Sequence, residues 1–327
     1  MHHVRVRLRA AILAAGLIAG AVPAVAQTYP TRTVHLIVAY SAGGTGDFVA
    51  RVLSEKLSIA LGQSIIVENR AGASGAIGAQ AVINATPDGH TILVGQTAEV
   101  SINQYWIKGL SYDPDRDLMP IALGAVVPLA LVVPGKAPYK TVSEMLQAAN
   151  PQGPGLTFAS AGTGTPGHFA GELLKAKSHA KLTHVPYKGA APALNDVVGG
   201  HVDFYFPGFP AAVPQMNAGT VKLLALSTAK RSAVAPDVPT VAEATGIANF
   251  DFTLWVAFFA PRGTPEPVIA RLNREINGII SQPEMRKRLM DAGAEVTPLS
   301  VAETAAFVKS ESEKYQRIIK ETGVTPE

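Results

Sequence analysis

From Tyr29-Pro30 onward the chain alternates short β-branched runs with longer stretches of helical periodicity, and that alternation narrows the folds open to it. Strands are expected over residues 34–39, 64–67, 91–94, 130–133, 156–159, 202–206, 223–227 and 255–260. Helical patterns intervene, among them 47–61, about 265–280 and 300 to about 321. Gly62 stands where the first helix needs a left-handed residue to stop. Thr264 and Pro265 read as N-cap and N1 of the second, and Ser300 with Glu303 has capping-box spacing at the third. Strands separated by helices imply an α/β architecture with mainly parallel sheets flanked by helices.

Two polar segments, Tyr112-Asp113-Pro114-Asp115-Arg116-Asp117 and Pro236-Asp237-Val238-Pro239-Thr240, each precede an apolar stretch and flank candidate crossovers between domains. The expected organisation is a discontinuous first lobe, 27–124 with 251–327, and a second lobe, 125–250. A cleft then lies between two α/β lobes, at the carboxyl ends of their strands.

Residues 1–26 read differently. Arg5, Arg7 and Arg9 precede an apolar run over 10–19, no acidic residue occurs, and Ala24-Val25-Ala26 supplies the small residues of an export cleavage site before Gln27. The run is shorter than the ~20 residues of a membrane span. Removing those three arginines leaves 25 basic residues against 25 acidic ones, so the exported chain has no electrostatic footprint for nucleic acid. The absence of cysteine excludes disulfides, thiolate metal sites, cysteine nucleophiles and a lipid-anchored cysteine. A freely diffusing periplasmic protein is expected.

Chemistry concentrates in two turns. In the first, the strand Leu36-Ile37-Val38-Ala39 runs through Tyr40-Ser41-Ala42-Gly43-Gly44-Thr45-Gly46 into a helix at Asp47. Glycines there let a ligand oxygen approach unpaired N–H groups at the positive end of the helix. The turn lacks the lysine of a phosphate loop and the spacing of a dinucleotide fingerprint. Asp47 is either a ligand contact or a cap. The second turn, Ser160-Ala161-Gly162-Thr163-Gly164-Thr165, leads from strand 156–159 into a helix at His168. Two such starts in separate halves suit the two ends of one dicarboxylate. The competing reading is a pair of ordinary tight βα turns.

Other motifs carry less. Gly72-Ala73-Ser74-Gly75-Ala76 approaches the nucleophile elbow of a hydrolase, but Ala76 replaces the last glycine and no strand delivers into it. Ser74 and Gly75 therefore read as a loop, structural or facing a ligand. His168 and Glu172 are a helical turn apart, yet no third metal ligand is evident. His184 reads equally as a core histidine or a contact. Phe204 and Phe206 share one strand face and Asp203 and Tyr205 the other; the rings either pack the core or stack on a ligand body. No carboxylate pair stands at acid/base spacing, and no cofactor is implied.

The ordered set Tyr29-Pro30, Ala42-Gly43-Gly44 with Asp47, Leu61-Gly62-Gln63, Val67-Glu68-Asn69, Pro87-Asp88-Gly89, Tyr112-Asp113-Pro114, His184-Val185-Pro186-Tyr187-Lys188-Gly189, Pro236-Asp237-Val238-Pro239-Thr240 and Ala260-Pro261 with Gly263-Thr264-Pro265 resembles the Bug family. These are TctC-type solute-binding proteins of tripartite tricarboxylate transporters, and the likeness spans the chain after residue 26. The resemblance implies a two-lobed, type II-like periplasmic binding fold and a TctA/TctB-type membrane permease as partner. It implies ligand carboxylates held by backbone, hydroxyls and water at Tyr40 to Asp47 and Ser160 to His168, with Ser74, Gly75, Thr97 and the segment from Phe204 through Phe206 to Pro207 also lining the cleft. Ala42 departs from the proline common before the glycine pair. Pro207 stands where many members carry a polar or acidic residue, which disfavours an amine-bearing ligand. The rings beside it admit an aromatic dicarboxylate such as terephthalate beside citrate and C4 to C6 dicarboxylates. The expected role is carboxylate capture by a monomer, not catalysis; a sensor presenting its ligand to a histidine kinase, or a hydrolase using Ser74, are the alternatives.

Overall fold

The computed structural model describes residues 29–150 and 152–324, so the expected export signal lies outside the described residues. Among the described residues ten strands run in chain order as β1 (Val34–Val38), β2 (Ile65–Asn69), β3 (Thr91–Gln96), β4 (Leu118–Pro128), β5 (Ala130–Pro134), β6 (Leu156–Ser160), β7 (Leu182–Pro186), β8 (Phe204–Tyr205), β9 (Val221–Leu226) and β10 (Thr253–Pro261). The longer helices are α1 (Thr45–Leu61), α2 (Ala76–Ile83), α3 (Val142–Ala148), α4 (Pro166–Ser178), α5 (Ala190–Gly199), α6 (Phe209–Asn217), α7 (Glu266–Ile280), α8 (Pro283–Asp291) and α9 (Val301–Thr322). The strands form two five-stranded sheets, ordered β2-β1-β3-β10-β4 and β7-β6-β8-β5-β9, each flanked by helices.

Strand alternation builds a core on both faces of each sheet. Val34, Leu36 and Val38 meet Val49, Leu53 and Leu57 of α1, whereas Ile37 turns to the opposite face with Leu93, Trp255 and Phe259. In the second sheet Phe158 and Phe204 pack on one side, with Ala159 and Tyr205 on the other. Burial on both faces explains why these strands read as continuous apolar runs.

The sheets are less parallel than the alternation suggests. β1 is parallel to β2 and β3, and β6 to β7 and β8, but β10 runs antiparallel to β3 and β4, and β5 to β8 and β9. The antiparallel members are those that carry the chain between sheets or lie beside them. β4 stays paired with β10 as far as Pro128, and β5 begins at Ala130 in the other sheet. Such a strand leaves its sheet without the helical return that would reverse it.

Both crossings are tied at one buried serine. Leu129 N–H donates to Ser227 Oγ at 3.0 Å, and Ser227 Oγ donates to the carbonyl of Phe252 at 2.5 Å. The backbone of Ser227 exchanges further bonds, donating to Leu129 O and accepting from Phe252 N–H. Trp106 and α9 also span the boundary. Trp106 follows β3 yet packs on Phe169 of α4, and α9 places Val308 in the core of the first sheet and Tyr315 in that of the second.

Helix α4 sits close on its sheet because Gly171 has no side chain: a Cβ there would enter the ring of Phe158. Gly171→Val should cost about 2–3 kcal/mol through overpacking, read as a lower urea midpoint with an unchanged slope.

Candidate functional site

The turn after β1 takes its shape from Gly43, whose φ of 82° favours glycine. Asp47 fixes it: the carboxylate accepts the Gly43 N–H at 3.0 Å and is held by Arg51. Burial works to raise the pKa of Asp47, but the Arg51 and Gly43 hydrogen bonds outweigh it and hold the carboxyl below its usual range. Asp47 therefore shapes the turn, its charge already met by Arg51. Gly44 is the N-cap of α1 and supplies no side-chain bond to the first turn. Thr45 Oγ1, fully buried, has no hydrogen-bond partner.

The turn after β6 is built from beneath. Ser160 Oγ accepts from Gly162 N–H at 3.1 Å and lies 2.7 Å from His184 Nε2, while Thr165 Oγ1 donates to Gly162 O at 2.7 Å. Gly164 N–H donates to His168 Nδ1 at 3.1 Å, so that nitrogen carries no proton. His168 and His184 lie with ring centroids 4.2 Å apart, and Trp106 closes on His168 from the other side. Burial, then the neighbouring imidazole and Lys175, pushes His168 down to about 3; burial and Lys175 push His184 down to about 4. Both rings are neutral supports of the turn.

The two turns face each other across a narrow pocket. Gly44 and Thr45 line it from the first lobe, and Ala161, Thr165 and Gly167 from the second. Two more helix starts join them: Ala190, opening α5 behind Gly189, and Gly208, the N-cap of α6. None of the four helices α1, α4, α5 and α6 has a side-chain cap, a trait they share with α2, α7 and α8, while Thr141 caps α3 and Ser300 caps α9. Four positive helix ends converge where no lysine, arginine or histidine lines the wall, although Pro166 opens α4 without an N–H and α6 offers only that of Phe209, since Pro210 has none and Ala211 N–H is bonded to Gly208 O. Leu129, Leu254 and Phe206 give the pocket an apolar side.

A second, more open chamber adjoins the first through Tyr40 and Ala161. Ser74, Gly75, Gly162 and Thr163 line it, with Tyr187 and Lys188 at its rim. Ser74 Oγ donates to Thr163 O at 2.5 Å, a direct bond between the lobes. Among the described residues this hydroxyl is bonded to no histidine or carboxylate, so the arrangement of a serine hydrolase is not formed.

Of the residues expected from sequence, Tyr40, Gly44, Thr45, Thr97, Ala161, Thr165 and Phe206 line the inner pocket, and Ser74, Gly75, Gly162 and Thr163 the outer chamber. The other expected residues lie behind these walls. Ser41 packs against Gly189, Gly46 against Gln96, and Gly164 against Trp106. Ser160, Asp47 and His168 brace the turns, and Phe204 stacks on Phe158 in the core at 5.6 Å. Sequence reasoning included Tyr205 in the segment 204–207 expected to line the cleft but did not single out Gln96, Ala190 or Gly208. The one available signal was Pro207-Gly208 before an apolar helix, a third turn-to-helix start. Among the described residues no group of three or more His, Asp or Glu is placed to hold a metal, and Glu172 pairs with Lys175.

Comparison with known proteins adds an independent line. A family model described as the tripartite tricarboxylate transporter family receptor, TctC, matches residues 49–324. The UPF0065 protein in the tcbD-tcbE intergenic region of Pseudomonas sp. strain P51 is 38% identical over 295 residues, 90% of this chain and 88% of that one. Protein BugT of Bordetella pertussis is 32% identical over 93% of each chain. Among solved structures, R. palustris Rpa4515 with adipate has a TM-score of 0.88 at 33% identity, covering 91% of this chain and 100% of the other. MatC (Rpa3494) from Rhodopseudomonas palustris with bound malate has a TM-score of 0.83 at 35% identity, over 89% and 100%. The periplasmic binding protein BugD has a TM-score of 0.85 at 33% identity, over 91% and 99%.

The buried imidazoles set an acid limit. Their folded pKa values lie below the ordinary 6.5, so the unfolded chain binds more protons as pH falls from about 6.5 to about 3. Their stabilising contribution is complete above that window and is lost through it. The denaturation midpoint should fall on acidification with a slope approaching two protons, and His168→Gln with His184→Gln should flatten it.

Proposed function

The chain belongs to the TctC family of tripartite tricarboxylate transporter receptors, and from that membership we propose that it captures a dicarboxylate between its lobes for delivery to a TctA/TctB-type permease. The carrying observation is the convergence of four uncapped helix starts, from both lobes, on one pocket without a cationic side chain. A carboxylate supplies the acceptors those N–H groups lack, and it meets no fixed positive charge that would bind any anion indiscriminately. Thr45 Oγ1, buried and unpartnered, is a further donor to that carboxylate.

The body of the ligand lies along Leu129, Leu254 and Phe206, and its second carboxylate reaches the outer chamber beside Ser74, Thr163 and Lys188. Adipate and malate in the structural relatives favour an aliphatic chain of this class for the present protein. Phe206 and Tyr205 line the pocket, but Phe204 is committed to the core, so the argument for a terephthalate-like body keeps one of its two expected rings. The protein works in the periplasm, as a monomer released by cleavage before Gln27. The lobes, expected to divide near 124/125 and 250/251, rock about the crossings at Leu129 and Phe252.

Calorimetric titration of the protein, stripped by unfolding and refolding, tests this with adipate, malate, citrate, terephthalate and benzoate. Micromolar or tighter binding of a dicarboxylate, with benzoate much weaker, is expected. Thr45→Val should weaken that binding about tenfold through one lost hydrogen bond. Equal binding of benzoate, or silence across the panel, would refute the two-ended capture.

A further inference from the structure

Glu99 is wholly buried in a π-helical turn, Ala98–Ile102, directly behind the cleft wall. π-Turns interrupt helices chiefly where a side chain has a task. Oε1 accepts the N–H of Gln96 at 2.7 Å, and Oε2 lies 3.1 Å from Tyr40 Oη. Gln96 and Tyr40 both line the inner pocket. The loop bearing Ser74 presses on the carboxyl from above: a Cβ at Gly75 would sit 2.7 Å from Oε2. No cation answers the carboxyl, whose surroundings are burial, two backbone N–H groups and Tyr40.

The proton count at Tyr40 gives the protonated form of this group one more hydrogen bond than the ionised form. Tyr40 Oη lies 3.1 Å from Ser74 O as well as 3.1 Å from Glu99 Oε2, and a phenol has one proton for two acceptors. With Glu99 ionised, the proton is drawn to the carboxylate, and Ser74 O keeps only the amide of Asn103 at 3.0 Å. With Glu99 protonated every atom is satisfied in one direction. Oε2–H then donates to Tyr40 Oη, Tyr40 donates to Ser74 O, and Ser74 Oγ donates to Thr163 O in the other lobe.

We infer that Glu99 acts as a neutral carboxylic acid, the first donor of a hydrogen-bond relay through Tyr40 and the Ser74 loop that holds the two lobes together across the cleft. It is a positioning residue, and its bearing on ligand capture rests on the function proposed above. Burial, the dominant cause, raises its pKa to about 8. The titratable groups facing it are Tyr40 at the end of β1 and Tyr112 ahead of β4, whose hydroxyl donates to Glu99 O; Tyr205 stands beyond Tyr40 from the second lobe. All three phenols are held above their ordinary range, burial first, so none competes as a base.

The chain has no cysteine, so spin labels at Ile77→Cys and Lys177→Cys, exposed sites on opposite lobes, report closure without any ligand. The interlobe distance should be short and narrow at pH 7 and broaden by pH 9.5. Glu99→Gln keeps a donor of the same shape and should stay narrow at both pH values; Tyr40→Phe should be broad at both. In parallel, the folded protein keeps a proton that the unfolded chain has released between about pH 4.5 and 8, so stability relative to Glu99→Gln should fall by about tenfold in the folding constant per pH unit there, then level. A wild-type distance that ignores pH, or a broad Glu99→Gln distance at pH 7, overturns the relay. A flat stability difference overturns the neutral acid. Adipate affinity should follow the distance; no adipate binding with the distance shift intact would count against the proposed ligand class and leave the relay standing.

Discussion

The two passages of the chain between its sheets meet at one buried serine. Ser227 sits between the two crossing strands and satisfies both, its hydroxyl accepting from Leu129 and donating to Phe252. A buried hydroxyl used twice leaves no polar group seeking water at the crossings. The two chain passages are thereby fixed side by side, and any rotation of one lobe against the other is referred to that axis. Trp106 and α9 narrow the freedom further, because each has its base in one lobe and its apolar contacts in the other.

The cleft that this frame carries is polar without being charged. Its donors are main-chain groups at helix ends, exposed because glycine, alanine or threonine stands where a larger side chain would cover them. Backbone donors do not change rotamer and need no counter-ion, so their orientation is set when the helices pack. The supporting residues follow the same economy. His168 and His184 are neutral beneath one turn, and Asp47 spends its charge on Arg51 behind the other. Charged side chains shape the walls and stay out of the inner pocket.

Much of this was legible in the sequence, for identifiable reasons. β1, β3 and β6 are short, bounded and buried on both faces, so their β-branched runs stand out, and two of the four helix starts are marked by three closely spaced glycines. β4 escaped because Pro120, Gly124 and Pro128 interrupt it; an edge strand tolerates what a central one would not. The antiparallel place of β10 is a tertiary fact with no local mark. The start of α5 and that of α6 each rest on one glycine, too little signal against thirty in the chain. The division of labour within the turns was hidden too, since Asp47, Ser160 and His168 have the residue types of a ligand contact and the positions of a brace.

A site built from helix ends also governs how an anion arrives. The field of a helix terminus fades within about a turn, whereas a cluster of lysines would reach out by a Debye length of ~8 Å. With Lys188 at the rim and no cation on the inner wall, the protein has little long-range pull on its ligand. Encounter then proceeds at the unsteered diffusional rate, nearly indifferent to ionic strength, and discrimination rests on how slowly the fitted molecule leaves.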